Sequence, residues 1–247
     1  MRQPPPSDDD ESEVLGVSWP VFQRWFANAW EPGDHVALIG PTNSGKTTTA
    51  VQLCQLRPWV IALDIKGGDT TLSKSGWPRL TKWPLPGKVY DAMREGKPFR
   101  AILGDTARGS AAMARRRAMM HRALDDIWQN GGWTVFVDDI QLLTDTRHSA
   151  NLAVDLEDFL IAARDAKVSI VSNLQAPRRV PRAASDQAIW LVVYLTRDID
   201  IVNRLSEMSG RPRAEIRGAV RGLRRPCILV IGSDPSAPIV VTRPERL

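Results

Sequence analysis

Apolar residues recur along this chain in two periods, and segments of the two kinds alternate. Val36-Ala37-Leu38-Ile39, Trp59 to Leu63, Phe99 to Leu103, Thr134-Val135-Phe136-Val137, Val168 to Ser172 and Ala188 to Leu195 are short, nearly continuous apolar runs. Such runs suit strands buried on both faces of a parallel sheet. Between them the spacing is helical. Lys46 to Leu56 stops at Arg57-Pro58, Thr106 to Gln129 is closed by Gly131-Gly132, and Ala150 to Lys167 and Asp198 to Ser209 complete the set. Val17 to Trp30 carries Trp19, Phe22, Trp25, Phe26 and Trp30 at roughly helical spacing. That stripe reads as packing, with a ring stacked on adenine as the sharper alternative. Residues 70–98, rich in Pro, Gly and Trp, read as a surface excursion, and Cys227 to Ile231 with Ile239 to Thr242 as a closing strand pair. Strands alternating with helices predict an α/β fold, a doubly wound and mostly parallel sheet with ligands at the carboxyl ends of its strands.

One of those carboxyl ends has its own chemistry. After Ile39 the chain reads Gly40-Pro41-Thr42-Asn43-Ser44-Gly45-Lys46-Thr47, then Thr48, which fits G-x-x-x-x-G-K-[ST] at every fixed position. A strand that ends in a glycine-rich turn gathers successive backbone N–H groups into one concavity, and the following helix adds its positive end. Such a cradle takes the phosphates of ATP, with Lys46 on the β- and γ-phosphates and the Thr47 hydroxyl on Mg²⁺. The predicted fold is therefore a P-loop NTPase of the RecA/AAA-like kind. The Thr134 run ends in Asp138-Asp139. Asp138 is placed to hold Mg²⁺ opposite Thr47, and Asp139 to polarise an attacking water. The bland alternative is a pair of acids capping the next helix.

At 247 residues the chain suits a single domain over 14–247, preceded by an acidic, proline-rich segment, 1–13, that cannot bury enough apolar surface to order itself. Asp8, Asp9, Asp10, Glu11 and Glu13 against Arg2 give that segment −4, so the remainder holds +9 of the overall +5. A basic body points to a polyanionic partner. Nothing approaches the length of a membrane span, and residues 1–13 are unlike a signal peptide. Cys54 and Cys227 are isolated, and His35, His121 and His148 lack ligand spacing, so Mg²⁺ is the only metal expected. A reducing, cytoplasmic setting fits (host cytoplasm for a viral protein).

The second half supplies a resemblance. Ala162-Ala163-Arg164-Asp165-Ala166 leads into Val168 to Leu174, then Gln175-Ala176-Pro177, and an Asp64-Ile65-Lys66 segment follows the earlier strand. This order of motifs, over roughly residues 36–232, resembles the FtsK/HerA family of DNA-pumping ATPases. The resemblance implies a ring, a hexamer, around double-stranded DNA, with room for a portal or membrane partner. Asp139 stands where that family has Glu, Ile65 where Pro is usual, and Ala176 where Arg often sits. The absence of an anchor or DNA-reading module favours a bare motor of genome packaging or mobile elements. Gln175, ending the strand beside that of Asp138, can bond both the γ-phosphate and the water, and can shift the basic loop carrying Arg178, Arg179 and Arg182. An ordinary polar strand end is the alternative. Arg164, in the last turn of its helix, is the first candidate for an arginine reaching into a neighbouring site, with Arg197 and Arg204 behind it.

Arg115-Arg116-Arg117 with Arg122 lie on a helix and read as a solvated face. Seven arginines between Arg204 and Arg225 face only Glu207 and Glu215, so the Arg211 to Arg225 region (Arg211, Arg213, Arg217, Arg221, Arg224, Arg225) reads as a DNA or subunit contact. Three functions are compatible: a translocating ATPase, an AAA-like nucleotide switch that loads or anchors a partner protein on DNA, and, lowest, a small-molecule kinase.

Overall fold

Side chains of successive residues in each strand leave the sheet on opposite faces, so apolar runs need cover on both. The computed structural model, which describes residues 14–143, 152–175 and 186–245, provides it. The strands are β1 (Val14–Gly16), β2 (His35–Ile39), β3 (Trp59–Leu63), β4 (Arg79–Leu80), β5 (Phe99–Leu103), β6 (Thr134–Val137), β7 (Ser169–Leu174), β8 (Ala188–Tyr194), β9 (Ile228–Gly232) and β10 (Ile239–Thr242). They form one sheet in the order β1-β10-β9-β8-β2-β7-β6-β3-β5-β4. Every neighbouring pair is parallel except the two made by β9.

The helices divide between the faces. Val36 and Leu38 of β2 join the layer beneath α1 (Trp19–Ala29), α2 (Lys46–Cys54) and α3 (Thr70–Ser73). Ala37 and Ile39 join the opposite layer, under α4 (Gly87–Arg94), α5 (Ser110–Asn130), α6 (Ile140–Leu143), α7 (Ala153–Ala162), α8 (Ile199–Ser209) and α9 (Arg213–Gly222). The predicted α/β fold is thus the observed one. The α1 stripe is packing: Trp19 stacks on Phe22 at 5.2 Å, and Phe26 meets Trp190 of β8 edge-on at 5.1 Å.

His35 pins the foot of β2. Its Nδ1 accepts from the Ile170 N–H of β7 at 3.1 Å, and its Nε2 lies 3.1 Å from the Leu160 carbonyl of α7. Nδ1 is therefore the bare nitrogen and Nε2 carries the hydrogen.

Several expectations change. α7 ends at Ala162 rather than Lys167, because residues 163–167 turn back, with the Lys167 N–H donating to the Arg164 carbonyl. Arg164 therefore lies outside the last helical turn. The excursion over 70–98 is partly ordered, and β4 extends the sheet beyond β5. The Arg211 region is a helix, α9, whose signal is faint because only Ile216 and Val220 anchor it among Arg and Gly. Arg116 and Arg117 are not a solvated face; both are buried. Arg211 is buried too, paired with Glu215 and bonded to the Ala237 carbonyl, and so braces the β9–β10 connection. The acidic segment 1–13 and the loop with Arg178, Arg179 and Arg182 lie outside the described residues.

Candidate active site

The turn between β2 and α2 folds as its residues require. Asn43 (φ 61°) and Gly45 (φ 99°) occupy the left-handed region, where Asn and Gly strain least. A Cβ on Gly40 would sit 2.6 Å from Tyr194 Cβ, so that position has no room for a side chain. Lys46 is buried and folds back onto the turn, its Nζ donating to the Gly40 and Pro41 carbonyls at 2.8 Å each. Burial lowers its pKa to about 8. A bound polyphosphate would reverse that shift by supplying the missing counter-charge.

β7 lies between β2 and β6, which puts the two phosphate-site strands about 10 Å apart. The first turn of α2 closes the gap. Thr47 Oγ1 donates to Asp138 Oδ1 at 2.6 Å, so the residues predicted to share Mg²⁺ do meet. Burial holds the Asp138 carboxyl above the usual range, while the Thr47 hydroxyl pulls the other way. From β7, Asn173 Nδ2 donates to Asp138 Oδ1 at 2.9 Å and stands 3.4 Å from Thr47 Oγ1. Its Oδ1 is buried with no partner among the described residues. A hydroxyl, a carboxylate and an unpartnered amide oxygen are the hard donors Mg²⁺ prefers, so these residues fit the ion. Sequence reading missed Asn173. It lies two residues before Gln175 inside an apolar strand, and its importance depends on which strand borders which.

Thr42, Asn43, Ser44, Gly45, Lys46, Thr47 and Thr48 line a cavity of about 470 Å³ together with Lys66, Asp69, Asp138, Asn173 and Gln175. Gln175 Oε1 accepts from Thr42 Oγ1 at 3.2 Å, so the end of β7 touches the phosphate turn directly. No ring of the α1 stripe lines this cavity, so the adenine-stacking alternative has no support here.

Asp139 is placed differently from expectation. Its Oδ1 accepts the Leu142 N–H at 3.0 Å, capping α6, and its Oδ2 pairs with Lys66 Nζ at 2.7 Å. Both oxygens are engaged, and Asp139 is not among the residues lining the cavity. Arg164 is at the opposite, amino-terminal end of the strands. Its backbone packs on Gly33 and its guanidinium is 3.6 Å from Asp34, both at the foot of β2. A five-residue strand separates it from the phosphate turn by roughly 16 Å, so it does not serve its own subunit's site. Arg197 is exposed, and Arg204 is paired with Asp186 and Glu207. Among the described residues no helix is long and apolar enough to cross a membrane.

No protein-family model matches the sequence, and no curated protein matches it significantly. Solved structures do match the fold. The genome packaging NTPase B204 from Sulfolobus turreted icosahedral virus 2, in complex with AMPPCP, has a TM-score of 0.58 at 14% identity over 87% of this chain and 99% of that one. The same protein in complex with AMP has a TM-score of 0.59 at 17% identity, over 87% of this chain and 98% of that one. VirB4 of Thermoanaerobacter pseudethanolicus has a TM-score of 0.56 at 11% identity, over 86% of this chain and 89% of that one.

Proposed function

We propose that this chain, whose fold is that of the FtsK/HerA-type P-loop ATPases, hydrolyses ATP to move double-stranded DNA through a ring of its own copies. The observation that carries this reading is the contact of Gln175 with Thr42, which ties the phosphate turn to the segment that leads into the basic loop. In this reading Lys46 and the turn over 40–48, through the N–H groups of 42–48, hold the phosphates, and Thr47, Asp138 and Asn173 hold Mg²⁺. When bound, that ion neutralises charge that develops on the phosphates. Asp139 orients the water, and Gln175 reports the presence of the γ-phosphate to residues 176–182. Arg164, remote from its own site, serves as the arginine donated to a neighbour in a hexameric ring.

DNA phosphates are met by Arg178, Arg179 and Arg182 and by α9, where Arg213, Arg217 and Arg221 stand one turn apart and exposed. The ring works in the cytoplasm, with a portal or membrane partner, and 14–247 acts as one domain. ATPase assays with and without linear duplex DNA test the reading. Stimulation that falls steeply with salt is expected, because phosphate contacts release counterions. One observation favours the slower nucleotide switch as the second reading: both Asp139 oxygens are occupied. Stimulation by a protein partner and not by DNA would select it.

A further inference from the structure

The loop after β3 is built on buried charge that the phosphate motifs do not use. Asp64, 2% exposed, accepts the N–H groups of Gly67, Gly68 and Asp69 and pairs with Arg79 at 2.8 Å. Arg116, also 2% exposed, reaches from α5. Its Nε donates to the Ile65 carbonyl at 2.9 Å and its Nη2 to the Lys66 carbonyl at 3.4 Å, while Nη1 binds Asp105 and the Ala107 carbonyl. A Cβ on Gly67 would lie 2.7 Å from the Arg116 guanidinium. Burying two charges carries a large desolvation cost, and here they fix a backbone rather than a core. At the centre of that backbone is Lys66. Its carbonyl is held by Arg116, and its side chain, 46% exposed, is tied only at its tip, by the ion pair with Asp139.

Lys66 borders the phosphate cavity, and its ammonium rests on Asp139. A flexible four-carbon stem on a pinned backbone can hand its charge from one anion to another without moving the loop. We propose that Lys66 is a latch released by the terminal phosphate of a bound nucleoside triphosphate: its Nζ leaves Asp139 for the γ-phosphate, and the carboxylate it held turns toward the attacking water. The proposal rests on the phosphate-site reading above. It explains how a carboxylate with both oxygens engaged can serve hydrolysis, and it keeps the site idle when a diphosphate leaves the latch closed.

The test is calorimetric titration of the full chain with Mg-ADP and with a non-hydrolysable β,γ-methylene ATP. Lys66→Met should bind the diphosphate within about twofold of wild type, and the triphosphate about tenfold more weakly, the worth of one charge-assisted contact. Lys66→Arg should keep most of the preference for triphosphate. Asp139→Asn should bind the triphosphate more tightly than wild type, because the ammonium then leaves no ion pair behind. Lys66 has one side-chain ion partner among the described residues and is half exposed, so these variants keep the fold, which a thermal melt verifies. Equal weakening for both nucleotides in Lys66→Met, unchanged triphosphate binding, or weaker triphosphate binding in Asp139→Asn overturns the latch. Wild type that binds neither nucleotide overturns the site reading, and the latch with it. Wild type and variant that bind both nucleotides alike overturn the latch alone.

Discussion

Acid should loosen this protein first at the foot of the phosphate strand. His35 is 4% exposed, and burial lowers its pKa from 6.5 to about 4. Below pH 6.5 the unfolded chain takes up a proton that the folded imidazole refuses, so this stability is complete above 6.5 and is lost as the pH falls toward 4. Burial is the physical reason for the refusal, and a protonated Nδ1 would in addition be unable to accept the Ile170 N–H. With these two pKa values the loss between pH 7 and pH 5 is about 2 kcal/mol, and it approaches about 3 kcal/mol once both states are protonated. Carboxylates titrate over the same range, so a comparison with His35→Gln is needed. Urea unfolding of both proteins at pH 7.0, 6.0 and 5.0 should show wild type losing about 2 kcal/mol more than the variant by pH 5.0. The variant should be less stable at pH 7.0, since glutamine cannot reproduce both ring contacts. Parallel pH curves for the two proteins would refute the argument, for they would mean that His35 titrates alike folded and unfolded.

The remaining predictions concern the site and its support. Lys46→Ala should abolish measurable nucleotide binding in calorimetry while leaving the thermal melt within a few degrees, because it removes a phosphate counter-charge rather than core packing. Asp138→Asn should weaken Mg²⁺-dependent nucleotide binding, whereas Asp139→Asn should retain binding and lose turnover; equal and mild effects on ATPase rate would cancel these roles. Arg116→Ala should cost about 3 kcal/mol in urea unfolding, the scale for leaving the Ile65, Lys66 and Ala107 carbonyls without their donor, and a loss below 1 kcal/mol would place its guanidinium in solvent. If Arg164 acts on a neighbour, Arg164→Ala mixed with Lys46→Ala should regain ATPase activity across mixing ratios, and no recovery at any ratio would leave Arg164 only its Asp34 contact.

Local chemistry was enough to read the sheet strands and the phosphate turn. An unbroken apolar run such as Thr134–Val137 needs only its own residues to say that both faces are covered, and Gly40 to Thr47 needs only its own backbone to form a cradle. The Gln175 prediction went one step further, and it depended on the correct guess that β7 borders β6. The rest was decided by tertiary structure. Arg115-Arg116-Arg117 is one charge run in sequence, yet the fold buries the second member against the loop after Asp64 and the third against α6, where it meets the Leu142 carbonyl. Arg211 and Arg213 look equivalent, and only the β9–β10 connection separates a buried brace from an exposed cation. Asn173 matters because β7 is inserted between β2 and β6, and Asp139 is held by Lys66 because two strand ends meet. Each is a polar contact across 35 residues or more, carried by the pairing order of the strands. Hydrophobic periodicity says how each strand is buried and says nothing of its neighbours, so the charges those neighbours bring together become visible only in the fold.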